Sequence, residues 1–398
     1  MPRSPGVALS ILNRSNLTKR EKIMSRLKQS GLLCCLLIAA SASAWAQGLP
    51  GTKRDLDFDA HMKTVNLDDP KLRLEYKGPE AGGSSIGMFI GVGTGPTDRS
   101  FVPTNPSSIP EAEVVAYRLS RFLGISRLTY PVDYYQLGPK ATATFKAMVT
   151  TTREIDADRF DNRNLVLTAL RSKPDTVLGI YRIKPKTKMY TASALGTEGE
   201  LNMNTGLAQE IQASGRMPSD ERMPLEGIKG GQPNFPKVPT ESRVELARQL
   251  STIFVLDSLF GQWDRFWNNL EASGDKHGRL KLIARDNGGA TLNNWDSRAN
   301  YDRWVSRFDR HLIDQLTALN AFLKGEAPQF AGYTNLGSWM EAVGFMEPSS
   351  YEVFAMKLSR LIDKRVPTLV KRFGDQTFFP PKSAEVVSFE TADTGEDD

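Results

Sequence analysis

Residues 256–292 read LDSLFGQWDRFWNNLEASGDKHGRLKLIARDNGGATL, and their reading decides the rest. They begin at the end of a long amphipathic run, ESRVELARQLSTIFVLDSLFG over 241–261, which predicts a helix stopped by Gly261. A polar loop follows, carrying Asp264, Asn268 and Asn269. Leu280–Ala284 then alternates like a short strand and runs straight into Arg285-Asp-Asn-Gly288. Taken singly, Asp264 and Asp286 read as turn residues, because Asp and Asn before Gly cap turns everywhere. Taken in order, they read as parts for phosphoryl transfer from ATP. One carboxylate orients a hydroxyl and accepts its proton, while an Asn and a second carboxylate hold the metal ions that bridge phosphate oxygens. On that reading Asp264 is the base, and Asn269 and Asp286 are the ligands of Mg²⁺ or Mn²⁺. Asn268 competes with Asn269, and the five-residue step from Asp264 favours Asn269.

Outward from this stretch, residues 310–324 and 349–373 predict two further helices, the second kinked at Pro367. On the N-terminal side, short apolar pieces and glycines over 72–104 predict strands joined by tight turns. Within them Gly91-Val-Gly-Thr-Gly95 reads either as a phosphate-covering loop, with Gly91 and Gly93 beside a nucleotide, or as an ordinary Gly-rich turn. Pro110 opens a helix, EAEVVAYRLSRFLG, with Gly124 as its stop. Val132–Leu137, Ala141–Val149 and Val177–Ile183 predict strands. The expected fold is therefore α+β and two-lobed. Residues 60–183 form a small β-rich N-lobe with one prominent helix, and 241–380 a mainly helical C-lobe, with a cleft between them. The polar, Gly/Pro/Lys-rich stretch 184–240 reads as an insertion or interlobe connection.

The ends of the chain speak to location. Arg26 and Lys28, the apolar run Gly31–Ala40 and Ala44-Trp-Ala46 predict a signal peptide cleaved after Ala46, with Met24 as an alternative start. The apolar run is short of the roughly 20 residues a membrane span needs. A periplasmic or secreted protein with no membrane span in its mature part is expected. Both cysteines, Cys34 and Cys35, fall in that leader, so disulfides and thiol chemistry are excluded from the mature part. The chain holds 51 Lys or Arg and 46 Asp or Glu; seven and one of them lie in residues 1–46, leaving 44 and 45. The near-neutral remainder gives no case for a nucleic-acid partner. Residues 381–398 predict a disordered acidic tail. His61, His277 and His311 fit no metal-ligand spacing.

Two blocks resemble the secretory-pathway kinases of the Golgi casein kinase and Four-jointed type, with looser kinship to bacterial toxin kinases and phosphatidylinositol kinases. The first block is AEVVAYRLSRFL (112–123) with ISRLTYP (125–131). The second is GQWDR (261–265) with IARDNG (283–288). The resemblance implies a protein-kinase-like fold, ATP as cofactor, and a hydroxyl of a protein or carbohydrate as substrate. It also implies Glu113 as the helix glutamate of the nucleotide cleft, Asp264 as catalytic base and Asp286 as metal ligand.

The chain departs from the family at two places. Phe266 and Trp267 stand where two histidines are usual, and the strand Met88-Phe-Ile90 carries Ile90 where a nucleotide-contacting lysine is expected. Lys77, Arg99 and Lys146 are the candidate substitutes. Three readings follow: an exported kinase-like phosphotransferase, a pseudokinase that binds a nucleotide or partner without transfer, and an envelope structural or interaction protein.

Overall fold

A computed structural model of the chain describes residues 49–77, 86–104, 110–152, 157–172, 176–184, 189–191, 240–262, 265, 269–274, 280–290, 292, 305 and 307–381. The leader 1–46, nearly all of 184–240 and the acidic tail lie outside the described residues. Among the described residues no helix is long and apolar enough to cross a membrane.

The chain opens with helix α1, Lys53–Thr64, whose start is fixed by Asp55: its Oδ2 accepts from the Thr52 amide and hydroxyl, both at 2.8 Å. Five strands follow: β1 Leu72–Tyr76, β2 Met88–Val92, β3 Arg99–Pro103, β4 Val132–Gln136 and β5 Leu178–Ile183. They form one antiparallel sheet in the order β1-β2-β3-β5-β4. Helix α2, Pro110–Phe122, connects β3 to β4, so β5 inserts between the two strands that flank this helix in sequence. The strands expected over 72–104, 132–137 and 177–183 are present.

The expected strand at 141–149 is instead part of helix α3, Pro139–Thr151. Ala141, Phe145 and Val149 recur at four-residue steps, which is a helical face, and Pro139 sits at the first position where its missing N–H costs nothing. Helix α4, Ala157–Ser172, follows. With α1, α3 and α4 present beside α2, the N-terminal part is a sheet with four helices, richer in helix than the sequence pattern implied.

A second sheet of three short strands, β6 Met189–Thr191, β7 Leu270–Gly274 and β8 Leu280–Ala284, lies in the order β6-β7-β8. Helix α5, Thr240–Phe260, ends as expected at Gly261, whose φ of +74° is one that glycine adopts without strain. The helical region continues with α6 Arg310–Leu323, α7 Leu336–Val343, α8 Pro348–Arg360 and α9 Val366–Phe373. A π-helical turn, Leu361–Arg365, joins α8 to α9. Pro367 has no N–H to offer the carbonyl four residues back, so the helix widens there, which is where the kink was expected.

Helix α2 is the hub. All thirteen of its residues are buried. Val114 and Tyr117 pack with the sheet, α1 and α3 in one apolar core. Ala112, Val115, Ala116, Leu119 and Phe122 belong to the other core, with α5 and the C-terminal helices. A helix buried all round must pair every charge it carries, since an unpaired buried charge costs several kcal/mol. Glu111 accepts from the Met346 amide at 2.7 Å. Arg118 meets Asp133 at 2.6 Å. Arg121 holds Asp59 at 2.7 and 2.8 Å and the carbonyls of Leu49 and Pro50 at 3.0 and 2.8 Å. The fourth charge, Glu113, faces the candidate site.

Candidate functional site

Glu113 sits one turn into α2 and is 2 % exposed. Its Oε1 accepts from the Arg182 guanidinium of β5 at 3.1 Å, and the backbone N–H groups of Asn287 and Gly288 also donate to the carboxylate. Burial pushes the Glu113 carboxyl above its usual range; the nearby Asp286 pushes the same way, while Arg182 and the two amides oppose. Arg182 stands opposite Ser100 of β3 and Val132 of β4 in the sheet register, on the strand that lies between them. A single carboxylate thus ties the sheet, the central helix and the turn after β8.

The opposite wall is organised by Arg265, which is fully buried. Its Nε and Nη2 donate to the two oxygens of Asp257 at 2.8 and 2.7 Å. Nη1 reaches the carbonyls of Asn269 and Arg285, both at 2.7 Å, and Nη2 also reaches Asn287 Oδ1 at 2.6 Å. Such a bidentate fork with every direction occupied is what arginine does and lysine cannot. Asp257, on the last turn of α5, is raised by burial, with Arg265 opposing. The Gln262 amide donates to the Asp286 carbonyl at 2.9 Å, and Gln262 bridges Ala290 in an isolated β-contact. The end of α5, Arg265, Asn269 and the turn after β8 are therefore one hydrogen-bonded block.

Asp286 itself has φ +52° and ψ +54°. That left-handed conformation is uncommon for a residue with a side chain, Asp and Asn being its usual non-glycine occupants. It leaves the carboxylate half-buried beside Glu113.

The structure thus brings Glu113 and Asp286 together and fixes Asn269, which is 5 % exposed, on the same Arg265 scaffold. Asp264, between Gln262 and Arg265, lies outside the described residues, as do Asn268, the aromatic residues 263, 266 and 267, and Trp295 and Trp304. Gly91 is on β2 opposite Arg73, and Gly93 opens the turn after β2 with φ +53°. The Arg73 guanidinium donates to the carbonyls of Gly93 and Gly95 at 2.7 and 2.9 Å, which fixes the turn from its acceptor side.

Ile90 is fully buried on β2 in the apolar core, and the strand that leads into α2 is β3. The cation that meets Glu113 is Arg182, two strands later, and none of Lys77, Arg99 or Lys146. Only one signal for it exists in the sequence, a basic residue inside the apolar strand LGIYRI. Asp257, a carboxylate within an apolar helix, was a similar signal of a buried partner.

Glu113 and Asp286 place two carboxylates close enough to raise one of them, a repulsion that a cation relieves. Among the described residues there is no group of three or more His, Cys, Asp or Glu that could hold a metal unaided. No protein-family model matches the chain, and no curated protein matches it in sequence.

Proposed function

We propose that the protein is a kinase-like phosphotransferase that uses ATP with Mg²⁺ or Mn²⁺ and acts on a hydroxyl of a protein or carbohydrate. The observation that carries this reading is the convergence on Glu113 of Arg182 from the sheet and of the Asn287 and Gly288 amides from the turn that bears Asp286. The sheet order, with α2 between β3 and β4 and β5 inserted beside β3, supports a protein-kinase-like arrangement in which the sheet covers a nucleotide and the helical region carries the acidic loop.

Arg182 supplies the fixed positive charge that neutralises phosphates, and Glu113 holds its guanidinium in place. Asp286 and Asn269 would hold a divalent metal, which would supply neutralisation of phosphate charge. Asp264 orients the acceptor hydroxyl and takes its proton, with its neighbour Arg265 anchoring the loop. Gly91 towards the end of β2 and Gly93 in the turn after it are nearest the phosphates in this reading.

Pseudokinase behaviour, nucleotide binding without transfer, is the second reading. It is favoured by the mutual pairing of Arg182 and Glu113 in place of a lysine contact. Radiolabelled ATP turnover with Mn²⁺, in the protein and in Asp286→Ala, separates the outcomes. Metal-dependent turnover that the variant loses at least a hundredfold is expected. Turnover equal in both sinks the assignment of Asp286, and binding without turnover in the parent selects the pseudokinase.

A further inference from the structure

Ser100, on β3, is 2 % exposed, and its hydroxyl has no hydrogen-bond partner among the described residues. Buried serines elsewhere in the chain are occupied. Ser120 Oγ donates to the Tyr117 carbonyl and Ser126 Oγ to Asp55, both at 2.6 Å, and Ser251 Oγ to the Arg307 carbonyl at 2.7 Å. A fold that leaves a buried hydroxyl unpaired loses stability by it, so such a group calls for a reason.

The sheet register supplies one. Ser100 stands directly opposite Arg182 of β5 and, on its other side, opposite Phe89 of β2. Residues paired in this way share one face of an antiparallel sheet, with β-carbons roughly 5 Å apart. Arg182 donates to Glu113 at 3.1 Å, so Ser100 lies on the sheet face that turns to Glu113 and α2. The unpaired hydroxyl is therefore a neighbour of the Arg182 guanidinium, whose side chain is 17 % exposed. We propose that Ser100 is a ligand-binding residue whose hydroxyl donates to the same phosphate group that Arg182 holds. The proposal rests on the phosphotransferase reading and adds to it a second, uncharged phosphate contact from the sheet.

The chemistry of the two side chains selects the ligand group. A guanidinium only donates, and the serine hydroxyl has a proton to give, so a group that satisfies both is an oxyanion with several lone pairs. The contact needs no spare charge. Glu113 is paired with Arg182 and Asp286 lies near it, yet neither carboxylate cancels a neutral donor. Access follows from the difference in exposure, because an entering phosphate meets the guanidinium first. The hydroxyl then turns to it about a single bond, χ1, among three staggered positions and without backbone movement.

One consequence sets this role apart from a structural one. Ser100→Ala removes the oxygen and little else, so it relieves the ligand-free protein of an unpaired group while taking a donor from the bound state. Stability and affinity should therefore move in opposite directions. Isothermal titration with adenylyl imidodiphosphate and Mn²⁺, on the parent and on Ser100→Ala, is paired with thermal melts of both without ligand. Binding about tenfold weaker in the variant is expected, since hydrogen bonds to charged groups carry that much. The ligand-free variant should melt at or above the parent temperature. Equal binding by parent and variant would overturn the role of Ser100 and leave the phosphotransferase reading in place. A ligand-free variant that melts below the parent would assign the hydroxyl to the fold and overturn the proposal as well. No binding by the parent would remove that reading and this inference together.

Discussion

Two arginine–carboxylate pairs flank the candidate site, and they differ in how closed they are. Arg265 and Asp257 have side chains 0 % and 2 % exposed, and the guanidinium meets five acceptors. Arg182 and Glu113 are 17 % and 3 % exposed, and one contact of 3.1 Å links them. Burial raises both carboxyls, so each charge is stabilised mainly by its arginine against desolvation. The closed pair has no direction left for a ligand and serves as a frame. The open pair retains accessible guanidinium surface on the strand that faces the turn of Asp286. On the proposed function, scaffold and chemistry are divided between two similar pairs by accessibility.

The contrast can be broken most severely at Arg265. Arg265→Met leaves Asp257 buried without a cation and unties the carbonyls of Asn269 and Arg285. Removing one partner of such a pair typically costs about 3–5 kcal/mol. Urea unfolding should show that loss, and a change under 1 kcal/mol would mean that Arg265 is not the frame.

A smaller effect sharpens the same theme at Glu111, two residues before Glu113. Its carboxylate accepts from the Met346 and Glu347 amides and the Ser350 hydroxyl, and burial, the largest influence, pushes it up to about 7. A carboxyl raised from about 4.5 binds its proton more tightly when folded, so its stabilising contribution is full below pH 4.5 and is lost as pH rises through 7. The span corresponds to on the order of 3 kcal/mol at most. In Glu111→Gln the stability measured by urea between pH 5 and 8 should lose most of that slope. An unaltered slope would place the titration elsewhere.

Much of this organisation was legible in sequence. Gly261, the alternating Leu280–Ala284 and the Pro110 helix start have strong local causes, and each falls where the pattern put it. The helix at 139–151 departs from the strand expected over Ala141–Val149 because its apolar residues repeat every fourth position. The two short strands at 189–191 and 270–274 carry no alternation strong enough to announce them. At the site, spacing and order single out Asn269 and Asp286 and the resemblance singles out Glu113, and the structure brings Asp286 near Glu113. Arg182 is not singled out, because its meeting with Glu113 depends on β5 inserting beside β3, a long-range pairing across 69 residues of chain. Asp257 signalled a buried partner without naming it, and Gln262 carried no signal, since their roles as scaffold exist only once Arg265 folds back on Asp257.

The measurement that bears most directly on the central claim is a crystal structure of the protein with a non-hydrolysable ATP analogue and Mn²⁺. The account predicts phosphate oxygens within hydrogen-bonding distance of the Arg182 guanidinium and Mn²⁺ on the Asp286 carboxylate, with the Arg265 contacts unchanged. An analogue bound elsewhere, or absent at saturating concentration with Arg182 engaged by Glu113 alone, would contradict it.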